Sequence, residues 1–113
     1  MKNMAYLRKE EDAIELPYPL DKVWMAIPKA LDSLGWTLEQ IDDTTHHVKA
    51  KTQASRMSWG STLLIEAVPM SGNTTKVSVV AESVVTTITA IVYFGRGRRC
   101  INLFFEELLK QLA

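Results

Sequence analysis

The sequence predicts an α+β protein in which a curved antiparallel sheet of five or six strands carries two helices on one face. In two segments, one near each end of the chain, the apolar residues recur with the spacing of an amphipathic helix. Between these segments, apolar residues recur at roughly every second position, as they do in half-buried strands. A run of hairpins between two such helices is typical of a sheet covered by a helical layer. The predicted element order is β-α-β-β-β-β-(β)-α.

The first predicted elements are a short strand over residues 13–16 and a helix over residues 20–34. A Pro-Tyr-Pro sequence separates them and ends the strand. Asp21 lies in the first turn of the helix, where a negative charge is favourable, and Gly35 is a natural stop. Pro28 removes one backbone hydrogen bond, so we expect a kink near Trp24.

The middle of the chain predicts a meander of strands, and its end predicts a helix. A β-branched and aromatic run over residues 84–94 predicts a further strand, with an apolar loop as the alternative. The closing helix starts near Gly97 and carries a stripe of apolar residues. The other strands are predicted over residues 36–42, 46–53, 57–68 and 75–83. The apolar stripe consists of Ile101, Phe104, Phe105, Leu108, Leu109 and Leu112.

Composition predicts one cytoplasmic domain with no membrane association. A chain of 113 residues suits a single domain, which we place at residues 11–113 after a flexible tail of residues 1–10. The 13 basic and 13 acidic residues argue against a protein built to coat nucleic acid. A single cysteine excludes an internal disulfide. The chain start lacks a signal-peptide pattern, and its longest apolar run is too short to span a membrane.

The order of elements resembles two known folds. A strand, a helix that opens with "PLDKVW", a meander of hairpins and a closing amphipathic helix are together similar to the small helix-grip (START-like) and TATA-binding-protein-like folds. The START-like resemblance implies a pocket between sheet and helix that takes lipids or other hydrophobic ligands. Four residues are candidates to line such a pocket, and the alternative is that they only fill the core. The candidates are Trp24, Met57, Trp59 and Phe105.

The most site-like stretch is "YFGRGRRC", residues 93–100, just before the closing helix. Arg96, Gly97, Arg98 and Arg99 are candidates for an anion site, because free N–H groups at a helix start attract phosphate or carboxylate and glycine permits close approach. The favoured alternative is a tight turn into the helix, with the arginines solvated or paired to acidic side chains. A GxG pattern alone is a weak signal.

No catalytic or metal-binding set is recognised, so we predict that the protein is not an enzyme and uses no cofactor. A nucleophilic cysteine needs a base beside it, and the sequence places no base next to Cys100. The chain also has no second cysteine to react with an oxidised Cys100, so a structural role is favoured. His46 and His47 are adjacent in a strand, so they face opposite sides and cannot easily share one metal ion. Lys49 and Lys51 share one strand face, which is a solvated surface or a weak nucleic-acid contact.

The functional prediction is a binding or interaction module that is not an enzyme and forms a homodimer. Met25 and Leu103 are predicted on the outward sides of their helices, and the apolar run over residues 84–94 adds surface that a second copy could cover. The first alternative is a START-like carrier of a small hydrophobic or anionic ligand. The second is a weak nucleic-acid-binding domain that uses Lys49, Lys51, Arg56, Arg96, Arg98 and Arg99.

Overall fold

The computed structural model describes residues 6–52, 61–85 and 96–113, which form an antiparallel sheet and two helices. Within those residues the sheet has five strands in the order β1-β5-β4-β3-β2, and every neighbouring pair is antiparallel. The predicted α+β class is therefore confirmed. The strands are β1 Tyr6–Leu16, β2 Thr37–Asp42, β3 His47–Lys51, β4 Thr62–Ser71 and β5 Thr74–Val85; the helices are α1 Leu20–Leu34 and α2 Arg96–Leu112.

The first strand is longer than the sequence predicts. It begins at Tyr6 rather than at residue 13, and it pairs with β5 along its whole length, from Tyr6 opposite Val85 to Leu16 opposite Thr75. The predicted flexible tail over residues 1–10 overlaps this strand, since residues 6–10 pair with β5. The consecutive charged residues Arg8, Lys9 and Glu10 hide the alternation of apolar and polar positions there. Residues 1–5 lie outside the described residues. The single-domain boundaries stay a prediction.

The predicted strand over residues 84–94 falls only partly within the described residues. Val84 and Val85 are the last residues of β5 and pair with the start of β1. Residues 86–95 lie outside the described residues, so the choice between a sixth strand and a loop stays a prediction.

Helix α1 has the ends that its sequence predicts. Pro19 is extended and precedes the first turn, and its carbonyl accepts a hydrogen bond from the Val23 N–H at 3.1 Å. Gly35 adopts a left-handed conformation with φ of 74°, which suits a residue without a Cβ. The N–H of Gly35 donates to the carbonyl of Asp32, and that of Trp36 donates to Leu31, both at 3.0 Å. These bonds close the helix and direct the chain into β2.

One hydrophobic core joins both helices to one face of the sheet, which we call the inner face. Alternate residues of the central strands are buried there, and the residues between them lie on the outer face. Phe104, Ile101 and Leu108 of α2 have no exposed surface. Full burial of such side chains contributes roughly 1.5–3 kcal/mol each. A side chain without accessible surface also borders no space large enough for water, so the middle of the core is solid.

Candidate ligand-binding site

Arg98, at the start of α2, is paired with groups on β1. The Arg98 Nη1 atom lies 2.7 Å from Oδ2 of Asp12 on β1, and Nη2 lies 3.4 Å from the carbonyl oxygen of Glu11. Arg98 therefore ties the start of α2 to the edge of the sheet. Arg99 is exposed, and Arg96 and Gly97 are the first two residues of the helix. The anion site stays a prediction, with one of its guanidinium groups already paired.

Trp24 contacts the turn between β2 and β3. Its indole Nε1 donates to Oδ1 of Asp43 at 2.9 Å, and its ring meets the His46 ring edge-on, with the centroids 4.9 Å apart. His46 has a φ of 57°, a left-handed conformation that non-glycine residues adopt mainly in turns. Trp24 is therefore held at one end of the inner face.

The other candidates for an apolar pocket are only partly described. Phe105 is buried on α2 beside Phe104, with their ring centroids 6.1 Å apart. Met57 and Trp59 lie outside the described residues. The structure places Trp24 and Phe105 on different helices, and the four-residue pocket stays a prediction.

The two histidines contact different parts of the protein, because His46 lies in the turn before β3 and His47 is the first residue of that strand. His46 packs against α1, whereas the Nε2 atom of His47 lies 3.1 Å from Glu66 on the outer face. Among the described residues, no group of three potential ligands is arranged to hold a metal ion. Cys100 is buried in the core and is not part of a disulfide.

The outer face carries charges of both signs. Lys49 lies there between Gln40 and Leu64 on the neighbouring strands. Asp42 and Glu66 lie on the same face, by strand alternation. A depression of about 920 Å³ on this side follows the hairpin of β2 and β3 and is open to solvent. Because its charges are mixed, this surface favours no single class of ligand, and nucleic-acid binding stays a prediction.

The inner face changes character from one end of the sheet to the other. Three cross-strand rows can be followed from the end beside Trp24 toward the end where β2 begins. The side chains become smaller along this direction and then polar, and we call the last row, Thr52 and Ser61, the polar end. The rows are Val48, Ile65 and Val79; then Ala50, Leu63 and Ala81; then Thr52 and Ser61.

Thr52 and Ser61 are buried with their backbone groups paired. The N–H of Thr52 donates to the Ser61 carbonyl at 2.8 Å, and the N–H of Ser61 donates to the Thr52 hydroxyl oxygen at 2.7 Å. The Thr52 side chain still keeps 8% of its surface, whereas Ala50 and Leu63 in the preceding row keep none. Half-buried Leu38 lies directly across from Ala50 on β2. Of the residues in these two rows that the structure describes, Thr52 is therefore the most accessible, and it has an apolar flank.

An acidic side chain lies on the same face of the edge strand β1. Glu10 is directly opposite Ala81 of β5. It occupies the same face of β1 as Asp12, Ile14 and buried Leu16, which follow at every second position. This register places Glu10 on the inner face. It is half-buried, and in the described part of the chain its carboxylate has neither a hydrogen bond nor an ion pair.

Comparison with solved structures identifies the architecture. No family model and no curated protein matches the sequence. Norcoclaurine synthase from Thalictrum flavum, in complex with dopamine and hydroxybenzaldehyde, matches with a TM-score of 0.73 at 10% identity, over 95% of this chain and 87% of that one. Ara h 8.0201 matches at 0.68 and 12% identity, over 95% and 99%. The Zhui aromatase/cyclase from Streptomyces sp. R1128 matches at 0.59 and 9% identity, over 95% and 90%.

The chain has the helix-grip fold. The START-like resemblance predicted from the order of elements is confirmed. The resemblance to the TATA-binding-protein-like fold stays a prediction. At this level of identity the matches establish the helix-grip architecture and not a shared activity.

The comparisons overturn the prediction that the protein is not an enzyme. A synthase and an aromatase/cyclase have the same helix-grip fold. The prediction relied on the lack of a catalytic sequence motif. Such motifs do not detect side chains that are distant in sequence and come together only on the inner face of a sheet. The homodimer and the cytoplasmic location stay predictions. In the described residues, neither helix is long and apolar enough to cross a membrane.

The sequence analysis missed Glu10, Thr52 and Ser61 as inner-face residues. Glu10 fell in the presumed tail, because a charged residue on a buried face breaks the expected alternation. Thr52 and Ser61 carry no motif, and their pairing depends on the register of β3 with β4. The signal that could have found Glu10 is the period of two through Glu10, Asp12, Ile14 and Leu16.

Proposed function

We propose that the protein binds a small, largely apolar molecule at the polar end of its inner face, between the sheet and the helices. The observation that carries the proposal is the graded inner face, which passes from branched aliphatic side chains to a row of two alanines and Leu63 and then to Thr52 and Ser61. A few polar groups orient a ligand that apolar walls enclose, and the Thr52 hydroxyl is such a group at the partly accessible end of this face.

The comparisons support the same kind of ligand. Norcoclaurine synthase of the same fold was crystallised with dopamine and hydroxybenzaldehyde, which are small aromatic molecules with polar ends. Half-buried Leu38 and Trp36 flank the polar end on the β2 side and offer apolar contact. The solid middle of the core, where Leu63, Val79 and Phe104 have no exposed surface, confines the proposed site to this end.

The proposal is tested by titrating the isotopically labelled full chain with hydroxybenzaldehyde and following backbone amide NMR signals. We expect saturable shifts centred on Ala50, Thr52, Ser61 and Ala81, and smaller shifts at the Trp24 end. Thr52→Leu places a larger side chain in the accessible part of the inner face. It should weaken binding by about fivefold or more, since steric exclusion removes favourable ligand contacts.

Thr62→Leu is the matched control, because Thr62 is adjacent to Ser61 in sequence but lies on the outer face. It should leave the affinity within about twofold of the unmodified protein. Saturable shifts on the outer face, with no change at the polar end, would show that the proposed site is wrong. The shift map of the unmodified protein decides this point even if Thr52→Leu fails to fold.

A further inference from the structure

We propose that the outer face of the sheet is an interface between two copies of this chain, packed sheet to sheet about a two-fold axis. The inner face takes no part in this contact, so the inference goes beyond the proposed function. The outer face is also a different surface from the helices and residues 84–94, from which the sequence predicts a homodimer.

One cross-strand row of the outer face has an apolar centre and ends of opposite charge. Leu64 on β4 is directly opposite Val80 on β5. Glu11 lies next to Val80 on the β1 side, and Lys49 lies next to Leu64 on the β3 side. Leu64 is 39% exposed and Val80 is half-buried, whereas the residues on either side of them along the strands are buried in the core. We call these four residues the outer row.

The outer row is complementary to itself about a two-fold axis that is parallel to the strands and lies between β4 and β5. Rotation about this axis exchanges the two ends of the row. Val80 then faces Leu64 of the second copy, Glu11 faces Lys49 of the second copy, and each contact occurs twice. Stacked sheets lie about 10 Å apart with their strands within about 30° of each other, a separation that long glutamate and lysine side chains can bridge.

The order of the charges selects this axis over the other one in the plane of the interface. An axis along the row would place every residue opposite its own copy, so that Glu11 would face Glu11 and Lys49 would face Lys49. Like charges brought together across an interface are unfavourable. Charges of both signs, which favour no single class of small ligand, therefore suit a surface that meets its own copy in one orientation.

The charged ends of the outer row have no ion pair within the described part of the chain. The ion pairs there join Lys9 to Glu82, His47 to Glu66 and Arg98 to Asp12. Neither the Glu11 carboxylate nor the Lys49 amino group has to give up a partner on the same chain to contact a second copy. A new ion pair across the interface therefore replaces only contacts with water.

The neighbouring rows are compatible with the same arrangement. Lys51 faces Lys9 of the second copy, and the carboxylate of Glu82, 3.3 Å from Lys9, compensates this approach of two cations. On the other side of the outer row, Glu66 faces Ser78 of the second copy, which carries no charge. The contact therefore brings no uncompensated like charges together in these rows.

Sedimentation equilibrium of the full chain tests the interface by reversing its charges. We expect the unmodified protein to form a dimer at low ionic strength, where screening is weak. Glu11→Lys and Lys49→Glu should each weaken the dimer about tenfold or more, because each change brings like charges together twice. The double variant exchanges the two charges and should restore the dissociation constant to within about threefold of the unmodified value.

Matched controls make the same chemical changes on the helices, away from the outer face. Glu106→Lys and Lys29→Glu change the net charge equally at exposed positions and should leave the dissociation constant within about twofold. Leu64→Lys puts a charge at the apolar centre and should weaken the dimer about tenfold or more. Its control is Leu109→Lys, because Leu109 is 47% exposed on α2.

Three outcomes would contradict the proposal. The first is a protein that stays monomeric at about 0.5 mM, which places any dissociation constant in the millimolar range. The second is a dimer that neither the charge reversals nor Leu64→Lys weakens, and the third is a double variant no tighter than the single ones. If a charge reversal prevents folding, Leu64→Lys decides. The ligand site at the polar end stands in each case, because it is on the opposite face.

Discussion

At the scale of single residues, Asp42 organises the turn between β2 and β3. Its Oδ1 atom accepts hydrogen bonds from the Thr44 hydroxyl at 2.6 Å and from the N–H groups of Thr44 and Thr45 at 2.9 and 3.2 Å. These donors, the Thr44 hydroxyl first, lower the pKa of Asp42 from its ordinary 3.8 to about 2. Because the folded pKa is depressed, ionised Asp42 stabilises the fold above the unfolded pKa, and this contribution is lost as pH falls through 2.

Replacing Asp42 with Asn should lower stability near neutral pH and remove this pH dependence, because the amide does not ionise. We expect the gap in urea midpoint between the two proteins to be largest above about pH 4 and to close toward about pH 2. Asp43→Asn is the control, since the Asp43 carboxylate accepts from the Trp24 indole and takes no part in the Asp42 turn. A gap of the same size at pH 5 and pH 2 would contradict the assignment.

At the scale of elements, packing and not the ion pair should hold α2 on the sheet. Phe104 has no exposed surface, whereas the Arg98 and Asp12 side chains are 42% and 44% exposed. A surface ion pair contributes about 0–1 kcal/mol, and truncating a buried phenylalanine to alanine costs about 3–5 kcal/mol. Urea unfolding should therefore show a small loss for Arg98→Ala and a several-fold larger one for Phe104→Ala.

Leu103→Ala is the control for helix propensity, because Leu103 neighbours Phe104 but is 40% exposed. It should cost well under half as much as Phe104→Ala. Phe104→Leu gives a milder comparison if the alanine variant does not fold. A loss for Arg98→Ala equal to that for either Phe104 variant would show that the ion pair carries the docking of α2.

The ends of the helices and strands also show which structural features the sequence predicts correctly. The ends of α1 were predictable because Gly35 and the prolines act locally on the backbone. The start of β1 was not, because the strand is identified by its partner β5, far along the chain, and its charged inner face conceals the period of two. For the same reason the candidate site was only partly predictable. Phe105 follows from helical spacing, but the proximity of Glu10 to Ala81 follows only from register.

At the scale of the whole molecule, the sheet pairs strands that are far apart in sequence. β5 lies between β1 and β4, so the last strand of the described residues pairs with the first and is interior to the sheet. Periodicity predicts the number and kind of elements, but it contains no information about which strands are neighbours. That order decides which inner-face residues meet, and so it decides the site.

This topology predicts an uneven distribution of stability. Strand β5 is hydrogen-bonded on both sides, and Val77, Val79 and Ala81 are fully buried. Among residues 6–52, 61–85 and 96–113, strand β2 lies at the sheet edge and pairs with β3 alone, and it has a bulge between Leu38 and Gln40. Amides that open only on global unfolding exchange slowest, and those at exposed edges open locally. Native-state hydrogen exchange should therefore protect the paired amides of β5 at least about tenfold more than those of β2.

The controls for that measurement are the β4 amides, which share two-sided pairing with β5 and should exchange at similar rates where the strands are in register. A ligand bound at the polar end should slow amide exchange at Thr52 and Ser61 more than at the Trp24 end. A ligand stabilises only the conformations that bind it, so it suppresses the local openings that disrupt its own site. Equal protection of β2 and β5 would mean that the sheet opens as a single unit, and the interior position of β5 would then have no bearing on local stability.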